Sequence, residues 1–262
     1  MSNISFSKSD SKRHVRIPND IDGDISELVG VIFGDGCLFE HKASNKTIID
    51  ISGDKDGDEE FHKFISRLFH KKFGIRLISY DYGTWVQSRI HSKAVFSYFT
   101  KTLNLKTGNK NNSLEIPKLI LENDLKFLRF MRGFADTDFC LTFQKRSRKR
   151  HYYPIIKTAV NNRKLIEQIA KKLLDLGFKV HTEYDRLDYD KRSGKYYKKS
   201  YLFLNGKDNL LKWIHRIGFK NGKHMTKYQV WKKFGFCPPK TTLEQRKLIL
   251  QNSFDPESFY NQ

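Results

Sequence analysis

The sequence predicts an α+β fold of two pseudo-symmetric halves, each running α-β-β-α-β-β-α with a four-stranded antiparallel sheet. Three observations predict it. ELVGVIFGDGCL at 27–38 is answered by FMRGFADTDFCL at 130–141. Asp35 and Asp138 are then 103 residues apart, as are Cys37 and Cys140, and Gly74 and Gly177. One offset kept at three places marks an internal duplication. Finally, helical and strand-like periodicities alternate in the same order after each aspartate.

The elements follow in chain order. An apolar helix is expected near 25–35. TIIDIS (47–52) reads as a strand, and DEEFHKFISRLFHKKFG (58–74) as a helix. In that helix Phe61, Phe64, Ile65, Leu68 and Phe69 fall at helical spacing and Gly74 is the stop. IRLISYDYGTWVQSRI (75–90) reads as a hairpin turning near Gly83, followed by a helix near 92–103. IPKLILENDL (116–125) joins the halves. The second half starts with a helix near 125–138. CLTFQKR and YYPIIKTAV then flank a basic turn, and NRKLIEQIAKKLLDLG (162–177) is an amphipathic helix. FKVHTEYDRL and KKSYLFLN form a strand pair, and DNLLKWIHRIGF (208–219) is a helix. The expected domains are a tail at 1–24, halves at 25–120 and 121–239, and a C-terminal appendage at 240–262.

Composition bounds the partners. The chain has 262 residues, 21 Phe and 12 Tyr, enough aromatic mass for a packed core. Its net charge of +20 points to a polyanion, most simply nucleic acid, over a merely solvated surface. No apolar run is long enough to span a bilayer, and MSNISFSKSDSKR has no signal-like stretch. Three cysteines without a CxxC argue against zinc or a disulfide framework. The nine histidines show no HExxH spacing, and neither a P-loop nor GxSxG is present. The expectation is a monomer with no membrane and no obligate protein partner, cytoplasmic or organellar with its host gene.

The duplicated helix carries the chemistry. Leu28 to Phe33 is apolar nearly all round, so it is expected to be buried. Gly30 and Gly34 share a face and permit close backbone approach, and Gly133 stands in the place of Gly30. The simplest partner for each helix is its own copy. That packing would bring Asp35 and Asp138 together at helix C-termini, where free carbonyls and the dipole favour a cation. Paired carboxylates repel unless a cation lies between them, and hard oxygens suit Mg²⁺. Such an ion can lower the pKa of bound water and stabilise a leaving oxygen in phosphodiester cleavage.

LVGVIFGDG (28–36) and MRGFADTDF (131–139) resemble two copies of the LAGLIDADG motif, that of the single-chain, two-motif LAGLIDADG homing endonucleases. The resemblance covers roughly residues 25–235. It implies packing through two central LAGLIDADG helices and sheets lying in the major groove of double-stranded DNA. It also implies cleavage across the minor groove of a long asymmetric site, leaving 3′ overhangs. The metal-binding acids would be Asp35 and Asp138, with the backbone carbonyls of Gly34 and Thr137. The cofactor implied is Mg²⁺, roughly two or three ions, with Mn²⁺ as a substitute and Ca²⁺ binding without cleavage. A basic residue beside each site falls on Lys110, in LNLKTGNKNNSLEIP, and on Lys223, in RIGFKNGKHMTKY. Each would stabilise the phosphorane or orient water; the competing reading is an ordinary phosphate-contacting lysine. The chain departs from the motif at Phe139, where the first copy has Gly36. The second site is therefore where weaker metal binding or slower cleavage of one strand is expected. Asp136 is read as structural.

KRSRKR at 145–150, with Arg146, Arg148 and Arg150, is expected to bind phosphate. Candidate base readers in the first half are Asn45, Lys46, Arg76, Tyr80, Gln87 and Arg89. In the second they are Gln144, Arg146, Lys157, Arg186 and Lys198, with Arg to guanine and Gln to adenine as the pairings. A one-residue slip of register would invert the face. The alternative function is an RNA maturase, or a nuclease-inactive DNA binder on the same fold. A ribosome-associated protein would leave the matched acids unexplained. The termini show no intein frame, so a freestanding, intron-encoded chain is expected.

Overall fold

The computed structural model describes residues 4–41, 43, 46–108 and 114–260. They form two compact units, Met1–Thr137 and Asp138–Gln262. The first holds α1 (Lys8–Lys12), α2 (Gly23–Phe33), β1 (Gly36–His41), β2 (Lys46–Asp54), α3 (Lys55–Phe73), β3 (Ile78–Asp81), β4 (Trp85–Ile90), α4 (Lys93–Ser97), α5 (Lys118–Leu121) and all but the last residue of α6 (Asp124–Asp138). The second holds β5 (Phe139–Gln144), β6 (Tyr153–Val160), α7 (Arg163–Asp175), β7 (Val180–Asp190), β8 (Lys195–Asn205), α8 (Lys207–Arg216), α9 (Gly222–Phe234) and α10 (Leu243–Leu250). Among the described residues no helix is long and apolar enough to cross a membrane.

Each unit has one four-stranded antiparallel sheet, ordered β1-β2-β4-β3 in the first and β5-β6-β8-β7 in the second. Alternation sets the buried faces: Thr47, Ile49 and Ile51 on β2, Val86 and Ile90 on β4, Ser200, Leu202 and Leu204 on β8. Helices α3 and α4 cover the first sheet, and α7 and α8 the second. The predicted fold class and order of elements are those observed.

The two apolar helices pack on each other. Nine residues of α2, Ile25 to Phe33, are buried. A Cβ on Gly30 would lie 2.1 Å from the carbonyl oxygen of Phe130 and 2.7 Å from the nitrogen of Phe134. A Cβ on Gly133 would lie 2.1 Å from the oxygen of Glu27 and 3.0 Å from the nitrogen of Val31. Shifting 27, 30 and 31 by the repeat offset gives 130, 133 and 134, so each contact is the other's symmetry mate. The backbones touch, and only glycine fits between them.

Charge adds direction to this packing. Arg132 donates Nε–H and Nη2–H to the two carboxylate oxygens of Glu27, at 2.7 and 2.6 Å. Glu27 is fully buried, and Arg129 reaches both it, at 2.9 Å, and Asp24, at 2.6 Å. Contacts thus run from Asp24 with Arg129, through Glu27 with Arg132, to Gly30 with Phe134. Both members advance along the chain together, so α2 and α6 run in the same direction.

The segments before α2 and after α9 are both packed against the units. Asp10, fully buried, accepts backbone N–H groups of Lys93 and Ala94 at 3.1 and 3.2 Å and so caps α4. Burial alone would raise its carboxyl; hydrogen bonds from Ser92, Ser7 and Ala94 outweigh that and hold it below the ordinary value. At the other end Arg246, also buried, donates to Thr226 Oγ1 at 2.9 Å and ties α10 to α9.

Helices α1, α5 and α10 fall in segments read as a tail, a joint and an appendage, and two further elements differ from expectation. The helix expected over 92–103 is α-helical only to Ser97 and then widens into a π-turn, Tyr98–Thr102. That wider turn buries Tyr98 and Phe99 together, both against Phe73 at 5.6 and 5.7 Å. Helix α9 was not anticipated, because GKHMTKYQVWKKF has no apolar stripe. Its signal lay in its caps: the Asn221 side chain accepts from Lys223 N, and Gly235 closes the helix at φ 78°.

Gly30→Ala or Gly133→Ala is expected to cost about 2–3 kcal/mol by overpacking, read from urea unfolding. Gly222→Ala, whose Cβ would meet Leu243 at an ordinary 3.6 Å, should stay within about 0.5 kcal/mol of wild type. Glu27→Ala leaves the half-buried Arg132 without its carboxylate and Arg129 with Asp24 alone, and should cost about 3 kcal/mol in the same assay.

Candidate nucleic-acid interface and acidic helix ends

The acids lie at the C-terminal ends of these buried helices. Asp35 is exposed and follows the α2 cap at Gly34, whose N–H bonds Gly30 O at 3.2 Å. The Asp35 carbonyl accepts from Ser52 N at 3.1 Å on β2. Asp138 is likewise exposed, and its carbonyl accepts from Thr158 Oγ1 at 2.9 Å on β6. Each acid is therefore anchored through its backbone to the second strand of its own sheet. Thr137 turns its hydroxyl back to Phe134 O at 2.8 Å.

The two ends are unequal. Helix α2 stops at Phe33, two residues short of Asp35, whereas α6 stays helical through Asp138 and passes directly into β5. A Cβ on Gly36 would sit 2.5 Å from Ile32 Cα, so no side chain fits there. Phe139, in the matching place, is 3% exposed and packs its ring 5.8 Å from Trp213. Asp136 is buried, where the first copy has buried Phe33.

Among the described residues no group of three or more His, Cys, Asp or Glu side chains could hold a metal. Carboxylate and backbone oxygens, the groups present at the two helix ends, are hard ligands of the kind that bind Mg²⁺ in company with phosphate oxygens rather than in an all-protein cage.

The uncovered sheet faces carry the predicted readers. In the first sheet the row Cys37, Asp50, Arg89, Ile78 crosses all four strands, and Tyr80 stands opposite Gln87. Lys46, Tyr80, Gln87 and Arg89 share this face; Arg76 is exposed in the turn before β3. Arg89 is engaged, however. It donates Nε–H and Nη2–H to Asp50 at 2.6 and 2.9 Å, and the Asp50 carboxylate raises its pKa. A guanidinium so committed cannot also offer the same fork to guanine. Asp50 itself was missed, since opposition across β2 and β4 is not visible in sequence. The face also exposes Phe39, Ile78 and Trp85, apolar surface suited to thymine methyl groups.

In the second sheet the corresponding row is Cys140, Lys157, Phe203, His181. Lys157 thus stands in the second sheet where Asp50 stands in the first, and the two faces differ in charge at matched positions. Gln144 lies opposite Tyr153 on the same face. Arg186 stacks on Tyr201 at 3.9 Å and pairs with Glu183 and Asp188. Lys198 alternates with Ser200 and Leu202 and falls on the other face; Lys199 takes the open one.

The 145–150 turn is held by aromatics. Arg146, at φ 44°, lies 3.3 Å over Tyr153, and Arg148 lies 4.4 Å over Tyr152. Arg150 lies 5.1 Å over Phe236 and pairs with Glu257 at 2.7 Å. Lys223 sits in the first turn of α9, its carbonyl accepting from Arg246 at 3.4 Å. Lys227, which the motif did not single out, reaches Leu141 O at 3.1 Å on edge strand β5. Asn45 and Lys110 lie outside the described residues.

No known family profile and no curated protein matches the chain in sequence. Solved structures do match. A mesophilic variant of the homing endonuclease I-DmoI is similar over 75% of this chain and 95% of its own, at 20% identity and a TM-score of 0.50. I-DmoI in complex with DNA and Mn is similar over 76% and 98%, at 18% identity and a TM-score of 0.49. The meganuclease I-SmaMI bound to uncleavable DNA is similar over 82% and 90%, at 13% identity and 0.47. The chain has the fold of the single-chain LAGLIDADG homing endonucleases.

A double-mutant cycle on Asp50→Ala and Arg89→Ala, read by thermal unfolding, should give a coupling of about 1 kcal/mol. Additive effects would mean that the two side chains act independently.

Proposed function

We propose that this chain is a site-specific double-strand DNA endonuclease that uses Mg²⁺ and cuts across the minor groove to leave 3′ overhangs. The observation that carries the reading is the helix pair. Two equivalent helices touch through Gly30 and Gly133 and run in the same direction, and an exposed acid follows or ends each. The fold likeness to a homing endonuclease supports it, as does the net charge of +20.

In this reading Asp35 and Asp138 are the metal-binding acids, with the carbonyls of Gly34 and Thr137 as further oxygen donors. A divalent ion bound there would supply charge stabilisation and an acidified water. The chain's own part is positional. Backbone anchors to Ser52 and Thr158 fix each carboxylate against its sheet, so a phosphodiester docked on the sheets meets preset oxygens. Lys223 and Lys110 would each place positive charge beside a developing phosphorane. Lys46, Arg76, Tyr80, Gln87, Gln144, Lys157 and the 145–150 turn would contact bases and phosphates. The unlike charges at Asp50 and Lys157 favour an asymmetric site.

Cleavage of the intron-less insertion locus tests the reading. Wild type should cut with Mg²⁺ and bind without cutting in Ca²⁺. Asp35→Asn and Asp138→Asn should each lower cleavage at least ~100-fold, on the scale of a lost group that stabilises the transition state, while leaving affinity within a few-fold. A wild type that binds but never nicks, with both variants binding equally, would make the chain a nuclease-inactive binder. Preference for the intron RNA would make it a maturase.

A further inference from the structure

The turn that joins β5 to β6 runs from Lys145 to Tyr152, and five of its eight residues are Lys or Arg. Residues 145–150 are all exposed. The backbone closes on itself through Arg148 N to Lys145 O at 2.9 Å and Tyr152 N to Gln144 O at 3.1 Å. Five like charges on so short a loop repel one another, so the loop does not hold one shape unaided. Arg146 also sits at φ 44°, in the left-handed region, where a residue other than glycine persists only if its surroundings over-determine it.

The chain after α9 supplies the hold. Phe236 and Cys237 leave α9, α10 folds back on α9 through the buried Arg246, and a 3₁₀ turn, Pro256–Tyr260, returns to the starting point. The rings of Phe236 and Tyr260 close that circuit at 5.7 Å. Its two ends grip His151 by both backbone polar groups. The His151 N–H donates to the Tyr260 hydroxyl at 3.1 Å, and the His151 carbonyl accepts from Cys237 N at 3.0 Å. The same hydroxyl meets His151 Nδ1 at 3.1 Å. Burial and the nearby Lys145 hold the imidazole below its ordinary pKa, which favours the neutral ring that can accept that O–H. Glu257 takes up the charge of Arg150 at 2.7 Å, and Lys145 Nζ lies 5.7 Å from the centre of the Tyr260 ring. The segment thus holds both legs of the turn and leaves Arg146, Arg148 and Lys149 exposed at its tip.

We infer that Tyr260 is a positioning residue for DNA binding: its hydroxyl, with the Cys237 N–H, presets the turn at His151 so that Arg146, Arg148 and Lys149 are ordered before a duplex arrives. This rests on the reading of the chain as a binder of duplex DNA. A loop that must be ordered at the moment of binding subtracts from affinity, and a loop ordered beforehand does not. The brace leaves the number of cations unchanged. It therefore acts on affinity and not on salt dependence, which counts the phosphates neutralised. The C-terminal segment serves the interface through the turn and not by a contact of its own.

The test uses the full chain and Tyr260→Phe, which removes the hydroxyl and keeps the ring against Phe236. The first readout needs no DNA. The turn's Lys and Arg residues are trypsin sites, and Lys191, Arg192 and Lys195 in the β7–β8 turn of the same unit are the internal control. Native-state trypsin should cut the variant within 145–150 about fivefold faster than wild type, the size of one net hydrogen bond, with cutting at 191–195 unchanged. The second readout is affinity for a duplex that wild type selects in Ca²⁺ from a randomised pool. Tyr260→Phe should weaken it about fivefold and leave the slope of log K against log salt as it is. Replacing Arg146, Arg148 and Lys149 by Gln should lower that slope by about three, and Tyr260→Phe should then cost nothing further. Equal losses with and without the three cations would make Tyr260 a general support or a direct contact and overturn its positioning role. Unchanged cutting of the turn would overturn it as well, and so would faster cutting with unchanged affinity; in both cases the endonuclease reading stands. If wild type selects no duplex, both readings fall, and the trypsin result alone reports whether the brace exists.

Discussion

Two helices whose backbones touch leave no space for side chains between them. Here the carbonyls of Glu27 and Phe130 sit where a Cβ on Gly133 or Gly30 would be. That contact constrains the first unit more than any other. It forces glycine at two positions 103 residues apart, it brings α2 and α6 as close as helices come, and it fixes their rotation about their own axes. The ends of both helices inherit that placement.

A contact made by two glycines is symmetric and by itself permits slippage. The buried Glu27 with its two arginines is not symmetric, because the second copy has Phe130 where the first has Glu27. Buried ion pairs contribute little net stability, but they penalise every arrangement that leaves a charge unpaired. The glycines set the closeness and Glu27 sets the register and direction. The same departure from symmetry recurs elsewhere, with Asp50 against Lys157 and Gly36 against Phe139. A duplicated frame thus carries two different sets of contacts.

The fold's outline was legible because its signals are local or repeated. The apolar run Leu28 to Phe33, the 3.6-residue spacing of Phe61 to Phe69, the stop at Gly74 and the alternation of 47–52 each lie within one element. The offset between Asp35 and Asp138 needed only the chain compared with itself. Helix α9 escaped because its apolar residues make no stripe, and the π-turn after Ser97 because its cause is the packing of Tyr98 and Phe99 on Phe73. Arg89 was legible as a polar residue on an open face, but its capture by Asp50 was not.

The sequence by itself determined that there are two equivalent halves, two buried helices ending in acids, and two sheets with one polar face each. Those features follow from periodicity and repetition, which act over a few residues or over one fixed offset. Only the tertiary structure decided that the helices run in the same direction, that Glu27 meets Arg132, that Lys199 rather than Lys198 shares the open face, and that β7 and β8 outrun their neighbour. Each of those depends on a pairing between residues far apart in the chain. Its energy comes from burial and charge at the place of meeting, which no local pattern records.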